Sequence, residues 1–352
     1  MFGKMMNNYY YGKSGKGDFR KEDLPTTRSQ LFRDTLRTRF SALCRLNLLY
    51  VLIWLPAMIV IFTQFSGIYD GLSNYDLVMN NSYEEVSEYA QSAGREIGVS
   101  REEFESIKAQ NTDIGQYMYS SIFYLLLYLF PCIAITGPFT AGMSYVTRNW
   151  ARDDHAFVWS DFKDAVKSNW KYSLVVSIIT GFMPLAVFQG YITYGQMSGK
   201  MIVMAIPQVL MIVIGVIWAI SVTYMYPLTV TYDLKLKDVL KNGLILGVAR
   251  LPFSIGIRLL HCVPVLICVG AVLLFHLDPL IGILIIGAYY ILIGFGLSRF
   301  ITASYTNAVF DRFINSRIEG AKVNQGLQDK EELGEEYDDA EEDAEVPEDR
   351  RE

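Results

Sequence analysis

The sequence predicts an all-α, polytopic membrane protein with six transmembrane helices and both termini in the cytoplasm. Three observations carry that fold class. The first is composition: of 352 residues, 51% are in the AVILMFWYC set, 14% are aromatic and only 19% are charged, whereas soluble domains run near a quarter charged. The second is segregation, since long charge-free apolar runs alternate with short polar stretches. The third is the alternation of Lys and Arg between successive connections. A net charge of -6 repels phosphate and excludes a nucleic-acid binder. The same composition excludes a water-soluble globule and a disordered chain.

A helix needs about 20 apolar residues to cross the hydrocarbon core. Residues 1–45 precede the first such run. They are too polar for a cleaved leader, and the run that follows is too long for one. The predicted spans are Leu46–Phe65, Met118–Tyr145, Tyr172–Tyr191, Met201–Tyr226, Gly256–Phe275 and Pro279–Leu297. The second carries Pro131 and the pair Gly137-Pro138, so a kink or an exit from the membrane is expected there. The last two form a hairpin closed by His276-Leu277-Asp278. Pro56, Pro131, Pro138, Pro184, Pro207 and Pro264 punctuate the spans, either as packing kinks or as breaks that free backbone carbonyls.

Orientation follows from the cations. Residues 1–45 hold ten Lys and Arg, 147–171 five and 227–250 four; the alternate side holds three in 66–117, Lys200 alone in the next loop, and none in the last. Positive residues stay inside, which places both termini and the two basic loops in the cytoplasm. The 66–117 loop faces out. Its ten acidic residues read as a solvated cap of two short helices, with Ser100 and Glu103 spaced as a capping box. Residues 46–315 thus form the membrane domain. From 316 the chain becomes a tail, acidic and expected to be disordered, with fourteen acidic against three basic residues after 328.

The segments leading into spans one, three and five share a pattern. Phe32 to Phe40, Phe162 to Trp170 and Leu236 to Leu244 align without gaps as apolar, basic, Asp, any, apolar, basic, any, any, apolar. Apolar residues at i, i+4 and i+8 share one helix face. Each copy is therefore expected as an amphipathic elbow helix at the inner membrane surface, followed by a two-span hairpin. Asp34, Asp164 and Asp238 recur at one position, and Arg37, Lys167 and Lys241 at another, as candidate partner contacts. Internal repetition and convergence of cytosolic elbows on the same residue types both account for most of the pattern; the shared Asp escapes convergence.

The stretch Gly137-Pro138-Phe139-Thr140-Ala141-Gly142, followed by Tyr145-Val146, Arg148-Asn149, Ala151-Arg152-Asp153-Asp154-His155-Ala156-Phe157, Asp161-Phe162 and Asn169-Trp170, resembles the YesL-like family of bacterial membrane proteins, a domain of unknown function. Leu46-Asn47-Leu48-Leu49-Tyr50 with Pro56, and Tyr226-Pro227-Leu228 with Leu251-Pro252, extend the resemblance to about residue 315. It implies a multi-pass protein of the bacterial plasma membrane. It also implies association with carbohydrate uptake, through ABC transporter permease or sensor subunits as partners. The outer loop and the acidic tail depart from compact members, and the family carries no site residues to transfer.

Asn47, Gln208 and His261 are the polar residues placed to line an intramembrane pathway, with hydrogen bonding between helices as the plainer role. Arg258 lies one turn before His261, near enough to the span end to snorkel. Asp153-Asp154-His155 cannot converge on one metal from a single helix and is expected to cap the helix that follows. Cys44, Cys132, Cys262 and Cys268 show neither CxxC nor metal-ligand spacing, and imply no disulfide framework. No nucleotide loop, nucleophile elbow or HExxH motif occurs. The sequence therefore favours a non-enzymatic accessory, assembly or regulatory component without a cofactor, with the lipid bilayer as its surroundings. The alternative is a small secondary transporter with its site between the hairpin repeats.

Overall fold

The computed structural model describes residues 25–92, 94, 100–109 and 114–327. The expected tail beyond 327 and the first 24 residues lie outside the described residues. Every regular element described is helical. Six helices are long and apolar enough to cross a membrane: Phe40–Asn80, Ile114–Trp150, Ser160–Ser198, Ile202–Thr231, Leu251–Leu274 and Pro279–Arg317. Each of the six predicted spans falls on its counterpart in order, with only Met201 and Phe275 lying one residue outside, and the chain is a polytopic all-α membrane protein.

The pattern of burial gives the reason. The flanks of span four (Val209, Val213, Val216) and span five (Leu259, Leu266, Leu273) are exposed apolar surface, while Thr140, Ser177, Ser221 and Thr306 are buried. Water would penalise such a surface, and lipid does not. The helices exceed the hydrocarbon thickness because their polar ends remain helical beyond the apolar runs.

Three findings refine the expectations. Span two stays helical through Gly137-Pro138, running from Ile114 to Trp150. Proline removes the N–H that would bond the carbonyl four residues earlier, here that of Ala134. Ser177 Oγ on span three donates to that carbonyl at 2.5 Å, so the neighbour satisfies what Pro138 leaves. The second finding concerns the elbows. The first is a separate helix, Arg28–Thr38, and the third another, Leu236–Ala249; the second is the first turns of span three itself, Ser160–Ser198. Arg39 and Arg250 take non-helical ψ of 16° and 32° at the two breaks. At the latter, Pro252 cannot donate back to Val248.

The third, a correction, is that Asp153 and Asp154 do not cap span three. Its N-cap is Trp159, with no side-chain bond, and the carboxylate at its start is Asp161, which accepts from Phe157 N at 2.8 Å. Asp153 instead sits in the left-handed region at φ 57°.

Spans two and three are the most intimate pair. A Cβ on Gly137 would lie 2.2 Å from Ser173 O, and one on Gly142 would lie 2.9 Å from Phe162 O. Small residues are what allow helices to touch this closely in lipid. Two apolar cores result. One joins Leu46, Tyr50, Val146, Trp150 and Phe300; the other joins Val176, Tyr224, Leu228, Val239 and Phe310. In the 66–117 segment two short helices form as expected, Tyr83–Ser92 and Arg101–Ala109. Both begin with reciprocal Ser–Glu caps, Ser82 with Glu85 and Ser100 with Glu103.

Candidate functional site

The end of the bundle that holds the amphipathic segments, here the basic end, is organised by one buried carboxylate. Asp311, 5% exposed, accepts from Arg28 Nη2 at 2.5 Å, Asn315 Nδ2 at 2.6 Å and Asn324 N at 3.1 Å. Asn315 in turn accepts from Tyr232 Oη at 2.7 Å. Burial pushes the Tyr232 hydroxyl up to about 12, and the Asp311 charge adds to the effect. Gln325 donates to Asp154 at 2.5 Å and accepts from Arg152 at 2.5 Å. The first amphipathic helix, two connections and the segment after span six are thereby tied together. Gly326 lies at φ 84°, and a Cβ there would sit 2.8 Å from Arg152 O, so the closure needs glycine. Residues 316–327, assigned to the tail by composition, thus fold back over this end.

The three amphipathic segments share a burial register. In each, the first apolar residue and the one four later pack into a core: Phe32 and Leu36, Phe162 and Val166, Leu236 and Leu240. The residue between them at i+3 is buried each time, as Thr35, Ala165 and Val239. The expected third apolar contact fails in all three, because Phe40, Trp170 and Leu244 are exposed at 51%, 48% and 37%. Arg37, Lys167 and Lys241 are exposed, as are Asp34 and Asp164, with Asp238 half-buried. None of these six side chains has a hydrogen-bond or ion-pair partner among the described residues. The structure therefore does not bring the three Asp together; it presents each on its own segment.

Two cavities flank these segments. One of about 470 Å³ is lined by Leu228, Tyr232, Ile245, Arg250, Phe313 and Ile314. The other, about 560 Å³, is lined by Arg39, Arg45, Trp150, His155, Phe157 and Trp159.

The candidate pathway residues have no partner in common. Asn47, fully buried, donates to Tyr290 O at 3.0 Å and Ile291 O at 2.8 Å, and accepts from Gly296 N at 2.8 Å. The two carbonyls belong to a π-helical turn, Tyr290–Gly294, inside span six, and Gly296 opens the α-helix just after it. A π turn disturbs the regular ladder, and Asn47 satisfies it. Gln208 lies at the opposite end of span four, beside Gly195. His261 Nε2 is 3.4 Å from Thr302 Oγ1. Among the described residues no group of three His, Cys, Asp or Glu side chains is placed to hold a metal ion.

Sequence reasoning passed over Arg299. Its Cζ lies 5.6 Å from the ring of Tyr226, which is 3% exposed. Arg258 also has Tyr226 and Arg299 as electrostatic neighbours. Its Nε is buried without a hydrogen-bond partner, so it turns into the bundle rather than toward the interface. A positive residue in an apolar span was the available signal.

A profile of the family described as "Protein of unknown function, DUF624" matches residues 117–191. That stretch covers the close-packed core of spans two and three, including Gly137, Gly142 and the Phe162 segment. Comparison with curated proteins and with solved structures gives no match.

Proposed function

We propose that this multi-pass membrane protein is a non-enzymatic accessory or regulatory subunit that presents its basic end to a partner in the cytoplasm. One observation carries the reading. Three segments hold an Asp and, three residues later, a basic residue on the side away from the core, and none of these six side chains has a partner among the described residues, on an end organised by the buried Asp311. A solvated face needs no such register, whereas a partner surface does. The resemblance to the YesL-like family of the bacterial plasma membrane supports a carbohydrate uptake system of ABC type, through its permease or sensor subunits. Replacing Asp34, Asp164 and Asp238 together by Ala is expected to abolish co-purification of that partner while leaving expression intact. Undiminished recovery of the partner would sink the proposal. The transporter alternative receives less support, since Asn47 is consumed by backbone groups and shares no partner with Gln208 or His261.

A further inference from the structure

We infer that Arg258 on span five and Arg299 on span six form a binding site for a phosphate-type oxyanion. The argument is one of missing countercharge. Neither guanidinium makes a hydrogen bond or ion pair with any described residue, and the Nε of Arg258 is buried and unpartnered. The only acidic residues between 251 and 313 are Asp278 and Asp311. Asp278 caps Leu280 N at the far end of span six, and Asp311 is held by Arg28, Asn315 and Asn324. Span four, which supplies Tyr226, has no acidic residue. The remaining titratable neighbours of Arg258 are Cys262 and Tyr226, and His261 faces both arginines. None of these carries a negative charge near neutral pH.

Proximity makes the pair costly. Arg258 lies two residues into the apolar run of span five and Arg299 two residues past that of span six, so both stand where the hydrocarbon layer meets the headgroups. Arginine does not shed its proton to escape burial. Two like charges sharing this half-buried place, with no protein countercharge, are matched by an anion at headgroup level. The fork geometry of guanidinium matches phosphate oxygens in pairs, and the Tyr226 face holds Arg299 by cation–π attraction.

Access is available from lipid. Ser254 is the one buried residue named in span five, and Leu259, Leu260 and Cys262 around the site are exposed. The phosphate could come from the headgroup of an anionic phospholipid or from a soluble phosphate; the site chemistry is the same, and it does not depend on any cytosolic partner.

The test uses the full chain in nanodiscs. Thermal unfolding is followed against the fraction of phosphatidylglycerol in digalactosyldiacylglycerol, a bilayer lipid without phosphate, and separately against inorganic phosphate in pure digalactosyldiacylglycerol. The wild type is expected to unfold at higher temperature as phosphatidylglycerol increases. R258Q/R299Q is expected to need at least about tenfold more for the same rise. In pure digalactosyldiacylglycerol that variant should unfold no lower than the wild type, which a merely structural pair would not allow. A rise with inorganic phosphate alone assigns the site to a soluble anion instead. Should the glutamine variant fail to fold, R258K/R299K keeps the charges and loses the forks, and is expected to respond several-fold more weakly. No rise from either anion, or an equal rise in the variants, overturns the inference.

Discussion

Asn47 shows what one polar side chain can do in lipid. Its amide bonds two carbonyls of the π turn in span six and the Gly296 N–H just beyond it, groups that have no water to turn to. Replacing it by Ala should cost about 2 kcal/mol of unfolding free energy in detergent, at under about 1 kcal/mol for each bond. Gln208→Ala, with no such bonds to lose, should stay within about 0.5 kcal/mol. Equal losses in the two would refute the clamp. Asn47 was legible as an exceptional residue, because Asn inside an apolar run is rare. Its role was not, because no residue pattern near 290–294 announces a π turn.

In the 66–117 segment Glu85 offers a pH test on the same scale. Ser82 donates its backbone N–H to the Glu85 carboxylate at 2.8 Å, and this hydrogen bond holds the group below its ordinary value of 4.5. A depressed folded-state value means a contribution that is present above the unfolded value and lost as pH falls through the folded one. Amide exchange in residues 83–92 should therefore accelerate as the pH falls below about 4.5. Glu85→Gln, which keeps the acceptor and removes the titration, should flatten that dependence. An unchanged profile in the variant would mean that another group frays the helix.

Among the elements, span two depends on a neighbour for its continuity. The Ala134 carbonyl, which Pro138 cannot bond, is taken by Ser177. Ser177→Ala should destabilise the protein by about 1 kcal/mol, and by clearly less when Pro138→Ala restores the intrahelical donor. A double-mutant cycle measured by unfolding in detergent reads that coupling directly; purely additive losses would contradict it. The six spans were legible because each apolar run is long enough to cross. The elbows were legible only in part. Pro252 marks the break after the third, but nothing at Thr38-Arg39 announces the first, and Trp170-Lys171-Tyr172 simply carries the second on into span three. Pro138, which reads as a break, proved tolerable because Ser177 on the adjacent span supplies the missing donor, a tertiary effect.

For the whole molecule, the basic end is a built surface. Arg28, Asp154, Tyr232, Asp311 and Gln325 are far apart in sequence, and no local spacing could have gathered them. The register of the amphipathic segments was visible beforehand, as the recurring Asp and basic pair, whereas the loss of the third apolar contact was not. The proposed role requires this surface to engage a partner. Parallel purification in mild detergent of the wild type and the D34A/D164A/D238A variant from native membranes, with quantitative mass spectrometry of what accompanies each, tests this. Stoichiometric permease or sensor subunits are expected with the wild type and at least about tenfold less with the variant, at equal yield of the protein itself. Equal recovery from both, or a wild type that purifies alone and accumulates solute in proteoliposomes, would contradict it.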